Sequence, residues 1–340
     1  MNYTECFERN YYLLGPKLAF SFLSCLFIIG MIVILILLQR YKFFTQRLSL
    51  YLAITAFGYS ASNSVDFTSY YAPTNTIALY YCRIIGYVQT NAIMFFYMAT
   101  AVIMIVVFIE VTCKRATDQM EVLFVFLIFG LPLLITWIPF VTDDYGPLGS
   151  ACWFTLVDME TCEISTTGVI LIIAIYFVPT KLIMIIVSLL LLVTLIFVKR
   201  QRKVAKMQRE QENRHQMRKQ LETELRPLMT YPVIVLVANL LAFAAFLAMS
   251  FDGENFYVRV MSIIIFALFP LQGAFITIAY AMKSDTRRKL KPRELKFYCR
   301  RCCACCKMNR KKSVREYETG IPKSDSWQDY LSPYRDIEEV

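Results

Sequence analysis

The sequence predicts an all-α membrane protein, a seven-transmembrane helix bundle with a short amphipathic helix after the seventh span. Of its 340 residues, 57% are hydrophobic and only 18% are charged. A soluble domain of this length would need more charge to cover its surface. Seven apolar segments also have about the 20 residues of helix that a bilayer requires. The basic residues between them lie mostly on one side.

The limits of each predicted element follow from where apolar residues give way to charge. Residues 1–17 contain no apolar core and form a predicted short extracellular N-terminus, so helix 1 serves as the signal anchor. Residues 18–282 form the predicted transmembrane domain. Its seven spans are Leu18–Leu38, Leu48–Asp66, Ile84–Val111, Val122–Val141, Val169–Val198, Leu228–Ser250 and Val258–Met282.

Helices 2 and 5 depart from a plain apolar pattern. Helix 2 contains several Ser, Thr and Asn residues, which suit a helix packed inside the bundle better than one that faces lipid. Helix 5 carries Pro179, which frees a backbone carbonyl, and then Lys181. A cation at mid-membrane is costly unless it is paired or hydrated. Two interpretations of Lys181 stay open: contact with a ligand anion or internal carboxylate, or snorkelling to the cytoplasmic interface.

The distribution of basic residues predicts the orientation. Of 36 Lys and Arg residues, 31 lie on one side of the predicted membrane and four on the other, with Lys181 inside helix 5. Lys and Arg near helix ends are retained in the cytoplasm. We therefore expect a multi-pass plasma-membrane protein whose N-terminus is outside and whose C-terminus is cytoplasmic. The net charge of +10 then indicates contact with anionic lipids rather than nucleic acid.

The predicted outer side also carries features of an oxidising compartment. Asn2 begins an Asn-Tyr-Thr glycosylation sequon. Four of the eleven cysteines, Cys6, Cys82, Cys152 and Cys162, lie on this side, where disulfides persist. Four cysteines allow three sets of pairings, and the spacing alone does not choose among them.

Seven helices, an outside N-terminus, Cys82 at the top of helix 3 and Cys152 in the second outer loop together resemble a G-protein-coupled receptor. The resemblance covers about residues 15–298. It implies that Cys82 pairs with Cys152, which leaves Cys6 and Cys162 for a second bridge or as free thiols. It also implies a receptor that senses an extracellular ligand within the bundle and activates a heterotrimeric G protein.

Short motifs indicate the branch of that family. Leu271-Gln272-Gly273 in helix 7 and Cys152-Trp153 in the outer loop are similar to motifs of the secretin, adhesion and cyclic-AMP-receptor-like branches. The segment 46–52, which opens helix 2, is similar to the cyclic-AMP-receptor-like pattern. The rhodopsin-like Asn-Pro-x-x-Tyr and Asp-Arg-Tyr motifs are missing. The short N-terminus favours the cyclic-AMP-receptor-like branch or a divergent orphan receptor.

Polar residues in the outer half of the spans are candidates for ligand contact. Gln89 and Asn91 lie on helix 3, and Trp153 follows the loop cysteine. Asp66 and Arg83 lie near the outer ends of helices 2 and 3. Alternative roles are interhelical hydrogen bonds for the amides and plain solvation for the two charges. Lys181 completes this set of ligand-binding candidates.

Five residues are candidates for a conformational switch. Gln272 and Gly273 lie beside Pro270, where a missing side chain at a kink permits movement. Asn239 is a polar residue within helix 6. Glu110, at the inner end of helix 3, is placed to pair with Arg226 or with the nearby Lys114 in an inactive state.

The cytoplasmic segments predict the partners. Residues 199–227 form a basic helical third loop that suits anionic lipids or a G protein, and residues 283–298 form a juxtamembrane amphipathic helix. Residues 299–340 are a Cys-rich and then disordered tail with possible arrestin-like and PDZ partners. The cysteines of this tail are predicted to be palmitoylated, and zinc binding is the alternative. These cysteines are Cys299, Cys302, Cys303, Cys305 and Cys306.

The sequence predicts no enzyme, no cofactor and no metal site. Its one histidine lies in the basic loop, and neither a catalytic constellation nor a Gly-rich phosphate loop is present. The rival functions are a small transporter or channel and a receptor-like scaffold that does not signal. The sequence lacks the internal repeats and paired broken helices that build transporter sites.

Overall fold

A computed structural model describes residues 14–38, 44–65, 76–112, 117–147, 152–155, 165–207, 228–241, 244, 269–282 and 286, of which 14, 76 and 201–207 are described by their backbone alone. The predicted glycosylation site, the second pair of outer cysteines and the cysteine-rich tail lie outside these residues. So does the predicted amphipathic helix, apart from residue 286.

The described residues form seven helices. Of these, α1, α3, α4 and α5 are each long and apolar enough to cross a membrane. The helix bounds are α1 Leu14–Leu37, α2 Phe44–Ser64, α3 Thr76–Thr112, α4 in three consecutive segments Glu121–Val125, Phe126–Gly130 and Leu131–Val141, α5 in three consecutive segments Thr166–Leu171, Ile172–Phe177 and Val178–Met207, α6 Leu228–Leu241, and α7 Gln272–Met282.

The third helix is longer than its predicted span and lies at the centre of the bundle. It begins at Thr76, about two turns before the predicted Ile84. Its first turns carry Tyr80, Tyr81 and Arg83, which lower the hydropathy of the segment without breaking the helix. α3 packs against α2, α4 and α5, while α1 packs against α2 and α7. α5 continues to Met207, past its apolar part.

The polar residues of α2 are buried against its neighbours. Thr55, Ser60, Ser62 and Asn63 are each at most 4% exposed. The hydroxyls of Thr55 and Ser62 donate to backbone carbonyls three residues earlier, and the Ser60 hydroxyl donates to Ser24 Oγ on α1 at 3.1 Å. The polar pattern therefore marks a helix inside the bundle, which confirms the interpretation of this segment.

Two π-helical turns precede prolines in α4 and α5. The turn Phe126–Gly130 precedes Pro132, and the turn Ile172–Phe177 precedes Pro179. A proline ring clashes with the carbonyl four residues earlier in a regular α-helix. Here the residue before each proline donates its N–H five residues back, Leu131 to Phe126 and Val178 to Ile173. The wider turn makes room for the ring, so each helix continues past its proline.

A short antiparallel hairpin caps the outer ends of α3, α4 and α5. Its strands are β1 (Tyr145–Pro147) and β2 (Cys152–Phe154), with Tyr145 opposite Phe154. Asp143 turns the chain from α4 into β1 with a φ of 59°, a left-handed conformation that Asp tolerates better than most residues. The hairpin ends at Thr155, whose amide donates to the Asp144 carbonyl at 2.8 Å.

The junction between the hairpin and α5 predicts a sensitive glycine. A Cβ on Gly168 would overlap the backbone carbonyl oxygen of Thr155. We expect Gly168→Ala to lower the apparent melting temperature in detergent, because overpacking costs about 1–3 kcal/mol and outweighs the roughly 1 kcal/mol gain in helix propensity. Gly30→Ala in α1, where a Cβ meets no atom within 4 Å, is the matched control. Equal melting temperatures for the two variants would contradict the close approach.

Candidate ligand-binding and coupling site

A disulfide fixes the outer hairpin to the central helix. Cys82 on α3 and Cys152 on β2 are bonded, with S–S 2.05 Å and 70 residues between them in sequence. Both sulfurs are buried. One turn further along α3, a Cβ on Gly86 would lie 3.2 Å from the Trp153 carbonyl oxygen, so a glycine lets the hairpin lie directly on the helix. The hairpin thus has a fixed position over the bundle.

An aromatic cluster joins the hairpin to α3 and α4. The Tyr87 ring lies 5.3 Å from Phe140, 5.9 Å from Trp137 and 6.2 Å from Tyr145, between ring centroids. The buried Tyr145 hydroxyl donates to the Thr136 carbonyl at 3.1 Å. Burial raises the pKa of this phenol, which therefore stays protonated as a donor. Offset and edge-to-face pairs of this kind add to the apolar contact area.

Trp153 links the hairpin to α3 and α5. Its indole Nε1 donates to Thr90 Oγ1 at 3.0 Å, and its ring stands edge-to-face against Tyr176 with centroids 4.7 Å apart. Thr90 in turn donates to the Gly86 carbonyl at 2.8 Å. The ring therefore bridges two helices below the hairpin.

A polar contact deeper in the bundle connects α3 to α6. The Tyr97 hydroxyl donates to Asn239 Oδ1 at 2.8 Å, and Asn239 Nδ2 donates to the Val235 carbonyl at 2.8 Å. The hydroxyl of Tyr176 lies beside that of Tyr97. Contacts therefore run from Trp153 through Tyr176 and Tyr97 to Asn239. Of these four, the sequence had identified Trp153 and Asn239.

The two amides of helix 3 hold neighbouring helices. Gln89 Nε2 donates to Asn63 Oδ1 on α2 at 3.1 Å. Asn91 donates to the Tyr87 carbonyl at 2.9 Å and accepts from Thr136 Oγ1 on α4 at 2.8 Å. The Asn91 amide is thus engaged through both its nitrogen and its oxygen, which favours a packing role for it. Interhelical hydrogen bonds of this type contribute about 0.6 kcal/mol each in membranes.

Gln272 is a buried amide for which the described residues provide no partner. It is 1% exposed, and neither Oε1 nor Nε2 has a hydrogen bond within the described part of the chain; the same holds for Ser21 Oγ on α1. An unsatisfied buried polar group costs about 1–3 kcal/mol, so a water or a ligand atom would be stabilising here. The adjoining Gly273 lets α7 approach α1, because a Cβ would lie 2.9 Å from Ser24 Oγ.

Two of the charged candidates lie at the surface. Arg83 Nη1 donates to Asp143 Oδ1 at 2.8 Å beside the hairpin, where the Arg83 side chain is 37% and that of Asp143 70% exposed. Lys181 lies on the exposed surface of α5, next to the exposed Leu182 and Ile185. Asp66 lies outside the described residues.

The ends of α2 and α4 on the side away from the hairpin are joined by an ion pair that the sequence did not reveal. Arg47 donates to both carboxylate oxygens of Glu121, at 2.6 and 2.5 Å, and the Tyr51 hydroxyl donates to Glu121 at 2.7 Å. Glu110 on α3 accepts from Thr117 at 2.9 Å. Its predicted partners, Arg226 and Lys114, lie outside the described residues. The sequence signal for this ion pair was Glu121 at the start of helix 4. Acidic residues are common at helix N-termini, so this signal does not identify a partner.

Reduction of the disulfide should loosen the hairpin. A bridge that closes a loop of this length stabilises by about 4 kcal/mol in the chain-entropy account. We expect Cys82→Ala to lower the apparent melting temperature well below that of Cys25→Ala, which removes the buried free thiol on α1. Dithiothreitol should lower the wild-type value and leave that of Cys82→Ala unchanged. Equal decreases in melting temperature in the two variants would mean that the disulfide stabilises the protein no more than a single buried thiol does.

Comparison with known proteins establishes the fold. The crystal structure of squid rhodopsin matches with a TM-score of 0.58 and 13% sequence identity, over 93% of this chain and 93% of that chain. No protein-family model and no curated protein sequence matches. At this identity the likeness concerns architecture alone. The chain therefore has the all-α, seven-helix membrane fold that G-protein-coupled receptors such as rhodopsin share.

Proposed function

We propose that this protein is a G-protein-coupled receptor that senses an extracellular ligand within its helix bundle and activates a heterotrimeric G protein. The observation that carries the proposal is the run of contacts from the outer hairpin to α6. Trp153 packs on Tyr176, which lies beside Tyr97, and Tyr97 bonds Asn239. A ligand that moves the hairpin side of this run can therefore bias the position of α6.

The ligand site of this proposal lies in the outer half of the bundle. Trp153 and Gln272 are its main candidates, together with Gln89 and Arg83 on α3, and Asp66 is a candidate from the sequence alone. Gln272 supports this location because neither polar atom of its buried amide has a hydrogen-bond partner among the described residues. Ligand binding shifts a conformational equilibrium only if the ligand prefers one of the two states.

In this proposal, the switch is a movement of α6 relative to α7. Among the described residues, α6 makes polar side-chain contacts with two helices, through Asn239 to Tyr97 on α3 and through Tyr231 to Ser49 on α2, and exposed Val237, Leu240 and Leu241 line its outer side. A helix held by few polar contacts needs little energy to move. The close approach at Gly273 fixes α7 on α1 while α6 moves. Glu110, with Arg226 or Lys114, would lock the inner end of α3 in the inactive state.

We further propose that the receptor stands nearest the cyclic-AMP-receptor-like, secretin and adhesion branches. Two motif positions support this. Gly273 of Leu-Gln-Gly lies at the α1–α7 contact, and Trp153 of Cys-Trp lies between α3 and α5. The remaining proposals rest on sequence: residence in the plasma membrane with the N-terminus outside, the limits of the domains, glycosylation at Asn2, a palmitoylated tail, and arrestin-like, PDZ and anionic-lipid partners.

The direct test is dissociation of a panel of heterotrimeric G proteins in cells that express the wild type or Cys82→Ala at equal surface levels. Basal or ligand-evoked dissociation that the variant loses would support a receptor held by the outer bridge. Silence across the panel, despite surface expression and broad ligand screening, would favour the transporter or scaffold function instead.

The α3–α6 hydrogen bond predicts a change in basal signalling. Tyr97→Phe keeps the ring and removes the donor to Asn239, so the restraint on α6 weakens by about 0.6–1.4 kcal/mol. We expect basal G-protein dissociation to rise about three- to tenfold. Thr136→Val is the matched control, because it also removes a buried interhelical hydrogen bond but between α3 and α4. A similar rise in both variants would show that general loosening, not α6, is responsible.

A further inference from the structure

A cleft of about 190 Å³ opens at the outer ends of α3 and α4, beside the hairpin. Three aromatic residues and a proline line it, together with the two members of an ion pair. Its lining residues are Tyr80, Arg83, Pro139, Phe140, Asp143 and Tyr145. The cleft is large enough for a small ring with one polar substituent.

Among the described residues, the guanidinium of Arg83 makes one of the several hydrogen bonds that it can donate. Asp143 is its one hydrogen-bond partner among the described residues, through a single contact at 2.8 Å. The Arg83 side chain is 37% exposed and that of Asp143 is 70% exposed. Exposed ion pairs of this kind contribute little stability, so another anion can replace Asp143 at low cost. An Arg fork binds carboxylate or phosphate through two parallel hydrogen bonds, which the present single contact does not achieve.

The α3 backbone at Arg83 is anchored by its neighbours. It follows Cys82, whose disulfide anchors this turn of α3 to β2. On the opposite wall, Tyr145 is 1% exposed and its hydroxyl bonds the α4 backbone. Because both walls are fixed, the site would lose little freedom on binding a ligand.

We propose that this cleft binds an anionic group, a carboxylate or phosphate, carried on a small flat apolar body. The anion bonds the Arg83 fork in place of Asp143, and the apolar body lies between Tyr80 and Phe140. The cleft shares only Arg83 with the ligand-binding candidates named above, so for a receptor it would be a second site at the rim; that role rests on the proposed function, although binding itself is measurable without any G protein. The anion could belong to a soluble ligand or to a lipid, because exposed Ile77, Tyr80 and Tyr81 are typical of a membrane interface.

Asp143 and its neighbour Asp144 provide a way to distinguish anion binding from a purely structural ion pair. Asp143 competes for Arg83, and its charge and that of Asp144 both repel an incoming anion. Removal of the Asp143 charge should therefore strengthen anion binding. If the Arg83–Asp143 pair served only to hold the loop, loss of either partner would have the same effect.

The test is binding of phenyl phosphate to the full-length protein in a phosphate-free maltoside detergent, measured by saturation-transfer NMR titration. We expect binding by the wild type, roughly tenfold or more weaker binding by Arg83→Gln, and about threefold tighter binding by Asp143→Asn. Benzyl alcohol, which lacks the charge, should bind all three equally weakly. Unchanged affinity in Arg83→Gln, or weaker binding in Asp143→Asn, would overturn the proposal.

Two further measurements keep the result decisive. If Arg83→Gln does not fold, the Asp143→Asn variant and the comparison of phenyl phosphate with benzyl alcohol decide on their own. Nanodiscs with added phosphatidic acid then identify the source: weaker phenyl phosphate binding there indicates a lipid occupant, and unchanged binding a soluble one. Anion binding without any G-protein response would refute the receptor function and leave the site standing.

Discussion

The lack of hydrogen-bonding solvent in a bilayer is the constraint on which this structure depends. Every backbone group in the hydrocarbon region must be satisfied inside the protein, so the chain crosses as helices. The same constraint governs side chains: the hydroxyls of Thr100, Thr180, Ser188 and Thr194 each donate to a carbonyl one turn earlier. It also explains the π turns, which let α4 and α5 continue past their prolines with only a local change of hydrogen-bond register.

Within that frame, α3 organises the bundle. It carries the disulfide to the hairpin, the amide that bonds α2, the amide that bonds α4 and the tyrosine that bonds α6. Contacts on the hairpin side are numerous and mostly aromatic, whereas the described polar links to α6 are the Tyr97–Asn239 hydrogen bond and the contact of Tyr231 with Ser49 on α2. In the proposed receptor, α6 is therefore the helix whose position a ligand would change.

The side of the bundle away from the hairpin is also tied together by polar contacts. The ion pair of Arg47 with Glu121 fixes the start of α2 to the start of α4, with Tyr51 as a third donor. Charge-assisted bonds with two contacts are among the stronger polar interactions in proteins. Helices 2, 3 and 4 thus form a common base, and α5 extends to Met207 beside it.

The sequence by itself determined the number of spans and the burial of the polar helix 2, because hydropathy and the cost of polar groups in lipid act on each segment separately. It also pointed to Cys82 and Cys152 through the family resemblance. Only the tertiary structure decided which side chains meet. Tyr97 and Asn239 are 142 residues apart, and Arg47 and Glu121 are 74 apart. Periodicity along one helix cannot show its rotation against another, which is why Lys181 faces outward and Arg83 faces Asp143.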